Sequence, residues 1–401
     1  MAAYLQTSTH FNNWIFSPDD LRRVHRLRQL KAAHVLLLER QQQQAAAGGA
    51  AARVARKPRS FAALVPAATT AVLDATDWND ELLDGAALEA AEKQQLQQEE
   101  PPLPLLSSEQ ELVVRDFYAA TLQESCSQLF RTSDKVKCCA LLLFKRFYLS
   151  NSVMEFHPKF LVPTAIYVAG KVEEQYISVD TVAAQLKVDH KHVIAHEMVL
   201  LEGVRFQLIM YHPFRALLGF VDDFRGFAKA AGAELPVDTL QKLHANATVV
   251  VNELLLTDVP LTHYPAYLAL AALAHVVEEL GREPTTAAAA VSGVLTRATV
   301  LAYIRRSKFA QSTQLEHVET QLEQVRAAYD ASRAAKRATN AEAHAKQLKG
   351  LYKALRQFHP EDDSKSSAAK DKERKSKKDE KKRKADKDEK RRAKKAKKEK
   401  K

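Results

Sequence analysis

Glycine and proline are scarce in this 401-residue chain, at 11 and 14 residues, which works against an all-β sandwich or barrel built on many tight turns. Three cysteines, Cys126, Cys138 and Cys139, have the spacing of neither a disulfide framework nor a zinc site, and read as structural apolar groups in a reducing compartment. No apolar run reaches the roughly 18–20 residues of a membrane span, and no charged start followed by an apolar stretch marks a secretory leader. A soluble intracellular protein is expected. Glycine-rich phosphate loops, nucleophile elbows and CxxC pairs are also missing. The nearest thing to a metal motif is DHKHVIAHE (189–197), where His192 and His196 lie four apart. Its carboxylate, Glu197, falls outside the pair, whereas a zinc protease needs its base between the histidines. Both are therefore expected to be surface or half-buried groups, with no metal, no cofactor and no catalytic residue in the chain.

What the chain has instead is Ala, Leu, Val, Gln, Glu and Lys in windows far longer than a strand, so an all-α fold is expected. The net charge of +11 is unevenly placed. Residues 361–401 hold 21 Lys+Arg against 11 Asp+Glu, a surplus of ten, and the remainder of the chain is nearly neutral. With almost no apolar side chains this tail is expected to be disordered. Its clusters, Lys381, Lys382, Arg383, Lys384 and Arg391, Arg392, Lys394, Lys395, read as a nuclear address or a weak polyanion contact.

Segment boundaries follow from composition and caps. A helix is predicted within 1–40 after the N-cap Ser17, with Pro18 at its first position and Asp19 and Asp20 at its positive end. Residues 41–104 read as a low-complexity insertion. The ordered body opens at SSEQE, with Ser108 and Glu111 as a capping box and Leu112, Phe117, Leu122 and Leu129 as the apolar stripe. Further helices start after Ser133, near Pro158, after Ser178 and near His190; Asn151 and Ser152 break the second. Past YHPF (211–214) a second series of five begins, including an alanine-rich helix near 286–293, followed by a long amphipathic helix. The boundaries expected are 105–210 and 211–308 for the two five-helix sets, 309–357 for C-terminal helices and 358–401 for the tail.

Five helices followed by five, together with LLLFKRFYLSNSVMEFHP (141–158), VAGKVEE (168–174), LLEGVRFQLIMYHPFR (200–215) and NELLLTDVPLTHYP (252–265), resemble the double box of the cyclin family. NSVMEFHP and the basic tail point within it to the cyclin H subfamily, with the cyclin C subfamily of the Mediator kinase module as the alternative. A IIB-like general transcription factor is a weaker one, because the body lacks the positive charge that DNA contact needs.

The resemblance implies a non-catalytic regulatory subunit that binds a cyclin-dependent kinase, the catalytic subunit of the CDK-activating kinase, alongside a RING-finger assembly factor and the transcription factor IIH core in the nucleus. It also implies which residues do this. Lys171 ends the third helix, and Glu197, nine residues before Phe206, lies in the fifth; the pair would grip kinase backbone just before its αC helix. Glu174, Phe147 and Tyr148 are expected to contact the kinase as well. Leu141, Leu142, Phe144, Phe160 and Ile166 would divide between core and groove.

Overall fold

A computed structural model describes residues 8–45, 105–282, 295–306 and 315–359. The insertion beyond Ala45, the alanine-rich stretch near 286–293 and the lysine-rich tail, with Lys381 to Lys395, lie outside the described residues. The chain divides into two compact units, Met1–Leu348 and Lys349–Lys401. Among the described residues all regular structure is helical, and no helix is long and apolar enough to cross a membrane.

Two helices open the larger unit, α1 (Thr9–Trp14) and α2 (Pro18–Ala45). The first helix set is α3 (Ser108–Glu124), continued by a π turn at Ser125–Leu129, then α4 (Asp134–Ser150), α5 (Pro158–Val172), α6 (Val179–Leu186) and α7 (His190–Gly203). The second is α8 (Pro213–Ala230), α9 (Val237–Leu256), the single turn α10 (Val259–Thr262), α11 (Pro265–Arg282) and α12 (Arg297–Arg306). α13 (Leu315–Ala338) and α14 (Ala341–Leu355) follow. Each set wraps a central helix. α5 packs against α3, α4, α6 and α7, while α11 packs against α8, α9, α12 and α13.

Local chemistry sets the ends. Ser178 caps α6 by accepting from the Thr181 amide, and His157 caps α5 through Nδ1, with Pro158 behind it. At α3 the expected capping box shifts by one residue. Ser107 and Gln110 form it, with reciprocal bonds of 3.2 and 2.9 Å, because Glu111 is buried and accepts instead from the Ser152 hydroxyl at 2.7 Å. The apolar stripe is corrected too. α3 turns Val114, Ala119 and Leu122 inward, whereas Phe117 and Leu129 are exposed.

α4 is buried on every side from Val136 to Ser150, as expected for a helix apolar all round, yet it carries three buried cations, Lys137, Lys145 and Arg146, the last two fully enclosed. The Lys145 ammonium donates to the carbonyls of Leu256 and Thr257 at 2.8 and 2.5 Å. Those carbonyls end α9 and have no helical partner, so a cation there meets both their hydrogen bonds and the helix dipole. Asp258 lies 3.7 Å from Lys145 and accepts from Arg115 at 2.8 Å. Burial disfavours its charge, but Arg115 and then Lys145 outweigh that and hold the carboxyl well below the ordinary range. The two helix sets are thereby joined by a buried ionic clamp.

The N-terminal arm crosses the same junction. Trp14 and Asn13 both donate to the Gln207 side chain, at 2.8 and 3.1 Å, the Tyr211 amide donates to His10 Nδ1 at 3.0 Å, and Phe16 N–H donates to Leu261 at 2.8 Å. Phe11 stacks on Tyr264 with centroids 4.7 Å apart. Beneath Trp14 lies Arg146, its guanidinium 4.9 Å from the ring, without a hydrogen-bond partner among the described residues and with a pKa lowered by burial to about 9.

Candidate partner-binding site

The last turn of α5 and the middle of α7 bring Lys171 and Glu197 together, with Nζ 2.5 Å from Oε1. Lys171 is near the C-terminal end of its helix, where a cation is favoured, and its ammonium also lies 4.1 Å from the centre of the Tyr167 ring. Burial opposes its charge, but the bond to Glu197 prevails and its pKa is raised. The side chains remain 38% and 25% exposed. One mutual bond leaves an ammonium with two further donors and a carboxylate with spare acceptor sites, so the pair can serve N–H and C=O groups of an incoming backbone segment.

Apolar groups on the same helix are open as well. α7 buries Val193 and Leu200 but leaves Ile194 and Met198 more than half exposed, and these share a face with Glu197 and Leu201 by helical spacing. Beyond its end, Arg205 and Phe206 adopt left-handed backbone, at φ 57° and 55°, which costs a non-glycine residue about 1 kcal/mol or more. The amide of Phe206 closes onto Leu201 at 2.8 Å while its ring stays 58% exposed. An aromatic ring held outward by a strained turn is, like the exposed apolar groups of α7, a surface open to a partner.

The other expected contact residues are placed differently. Phe147 and Tyr148 are interior residues, 0% and 1% exposed, and do not line a groove. A side chain added at Gly203 would run into the Phe147 ring, so Phe147 sets how closely α4 approaches α7. Tyr148 donates its hydroxyl to the Phe156 carbonyl at 2.8 Å and accepts Arg28 on its own carbonyl at 2.8 Å. Leu141, Leu142, Phe144, Phe160 and Ile166 are likewise buried. Glu174 is exposed, in a left-handed conformation at φ 57°.

His192 and His196 are half-buried and stack on Phe160, with centroids 4.6 and 5.4 Å away. Cys126, Cys138 and Cys139 are buried free thiols, and burial raises the pKa of each.

Sequence reasoning passed over Glu173 and His212, whose side chains meet at 2.8 Å. Each sits in a motif noticed for other reasons, KVEE and YHP, but nothing local pairs residues 39 apart. The exposed Ile194 and Met198 had a readable signal, since α7 carries apolar residues on two faces where one would suffice for its core.

The description "Cyclin, N-terminal domain" fits residues 87–209 and "Cyclin C-terminal domain" fits 212–329. Cyclin-H1-1 of Arabidopsis thaliana is 39% identical over 176 residues, 44% of this chain and 52% of its own. Cyclin CCL1 of Saccharomyces cerevisiae is 33% identical over 168 residues, 42% of each chain. The chain thus spans about half the length of the curated relatives it matches. In the solved CAK complex of Chaetomium thermophilum bound to ATP-gamma-S, a chain of the same fold aligns with a TM-score of 0.61 at 20% identity, covering 89% of this chain and 88% of that one. With two cyclin domains end to end over 87–209 and 212–329, the chain belongs to the cyclin family.

Proposed function

We propose that the chain is a cyclin H-type regulatory subunit that activates a cyclin-dependent kinase without catalytic residues of its own. The observation that carries this is the partly exposed Lys171–Glu197 pair, with Ile194 and Met198 exposed on the same helix as Glu197. Glu174 adds an exposed carboxylate at the same corner. A kinase is active when the lysine of its third strand pairs with the αC glutamate, which aligns ATP phosphates and magnesium. A partner that binds the αC-in state more tightly than the αC-out state shifts the population toward activity by that difference. Lys171 and Glu197 supply that preference by bonding backbone that precedes αC only when the helix is in place.

The names of the relatives, cyclin-H1-1 among them, support the subfamily and, with it, a CDK-activating kinase acting in transcription initiation. A RING-finger assembly factor and the transcription factor IIH core are the further partners in this reading. Residues 105–210 and 211–308 form the two boxes, and the 361–401 tail directs the chain to the nucleus. Lys171→Ala and Glu197→Ala test the central claim. Each removes charge-assisted hydrogen bonds of about 1.5–3 kcal/mol, so activation at limiting cyclin should fall about tenfold or more while the melting temperature stays within a degree or two. A destabilised protein that still activates fully at saturation would make the pair a staple between α5 and α7.

A further inference from the structure

The turn that carries Lys171 is tied down unusually well for a helix end. After Val172 the chain doubles back. Glu173 closes α5 through its N–H to Ala169 at 3.0 Å, Glu174 takes a left-handed conformation, and the Gln175 carbonyl passes so near Gly170 that a side chain there would meet it at 2.8 Å. Gln175 then accepts the Ser133 amide at 2.9 Å, fixing the turn to the start of α4. One tie leaves the first helix set. Glu173 Oε1 is 2.8 Å from Nε2 of His212, with both side chains largely buried at 18% and 10% exposure. A carboxylate accepts, so the imidazole donates from Nε2; its Nδ1 is buried with no partner among the described residues, which makes Glu173 the ring's one hydrogen bond there. His212 is the N-cap residue of α8, with Pro213 behind it. The residue two places after Lys171 is therefore fastened to the first residue of the second helix set.

We infer that Glu173 is a positioning residue: its bond to His212 lets the second box hold the turn that aims Lys171 at the kinase. The inference rests on the proposed kinase-binding role of Lys171. The second box then contributes to activation through a contact buried inside the chain, in addition to any surface it offers. Among the described residues the Lys171 side chain meets Glu197 and Tyr167, groups of the same box; Glu173 ties the turn that follows it to the second box.

The test uses the full chain and its cognate kinase catalytic subunit, reading the cyclin concentration for half-maximal kinase activation and the melting temperature. Glu173→Ala and His212→Ala should each raise the half-maximal concentration about fivefold to tenfold, with activity at saturation kept. Glu173→Gln, which retains an acceptor for the imidazole, should stay within about twofold of the parent. In a Lys171→Ala background, Glu173→Ala should add nothing, because the group it positions is gone. Two results overturn the inference: a Glu173→Ala protein with the parent's half-maximal concentration, whatever its melting temperature, or an effect that multiplies in full with that of Lys171→Ala. If Lys171→Ala alone leaves activation unchanged, the kinase-binding reading fails first and this inference falls with it. If Glu173→Ala does not fold, Glu173→Gln and His212→Ala decide the matter by the same comparison.

Discussion

The central helices of the two boxes carry nearly the same four residues toward their C-terminal ends. α5 ends in Lys171 and Val172, with Glu173 and Glu174 in the turn just after it; α11 carries Val276, Val277, Glu278 and Glu279. In the second box the valines are fully buried, and the two glutamates meet arginines of α13, Glu278 with Arg326 at 2.9 Å and Glu279 with Arg333 at 3.4 Å. Tyr329 of α13 adds a bond to Glu253 at 2.7 Å. That corner is occupied by α13 of the chain itself. In the first box a lysine takes the place of the valine, and its corner has no such helix among the described residues. One fold, used twice, closes this corner from within in one copy and leaves it open in the other, and a partner that binds this end of a box has one copy to choose.

The largest effect should come from cutting what joins the copies. Asp258→Ala leaves Lys145 and Arg115 as buried cations short of their shared carboxylate, and urea unfolding should show a loss of about 3–5 kcal/mol. The same residue predicts a pH dependence. Its folded pKa is depressed, so its contribution is complete above the unfolded carboxylate value of about 4 and is lost as pH falls below it. Stability of Asp258→Asn should accordingly decline less than that of the parent between about pH 5 and pH 2.

Making the second corner resemble the first should also be costly. Val276→Lys places an ammonium at a fully buried site, and a loss on the order of 3 kcal/mol is expected, with no gain in kinase binding. The reverse change, Lys171→Val, should alter stability by no more than about 0.5 kcal/mol while lowering activation at limiting cyclin about tenfold or more. Gly203→Ala tests the packing beneath the open corner. Its methyl would force Phe147 to shift, for about 1–3 kcal/mol of destabilisation in a melting experiment. Smallest should be Arg326→Ala, since that pair is a third exposed on the arginine side and such pairs are worth about 0.2–1 kcal/mol.

The parts of the fold legible in sequence were those decided locally. Ser133, Asn151, Pro158, Ser178 and Pro213 mark helix ends by capping and proline chemistry that a short window contains, and the helices begin or stop beside them. The six residues of α1 have too few turns for periodicity to show. α4 defeated the division between core and groove, because a helix buried all round offers no polar face from which to orient it, and so Phe147 and Tyr148 were placed outward. Lys145 reads as a surface lysine until its acceptors, more than 110 residues later, are in view. Lys171 and Glu197 came from resemblance, through a spacing that composition alone would not have singled out.

The N-terminal arm has a consequence in time. Asn13 and Trp14 bond to a residue 194 and 193 positions further on, and His10 to one 201 further on. At a synthesis rate of about 5–20 residues per second, roughly ten to forty seconds separate the appearance of the arm from that of its acceptors. During that interval Asn13 and Trp14 lack the Gln207 acceptor, and Phe16 lacks the still later Leu261 carbonyl, that hold them in the finished protein. Residues made before either helix set are among the last that can be fastened, and nascent chains stalled before residue 207 should show an arm open to protease that longer chains protect.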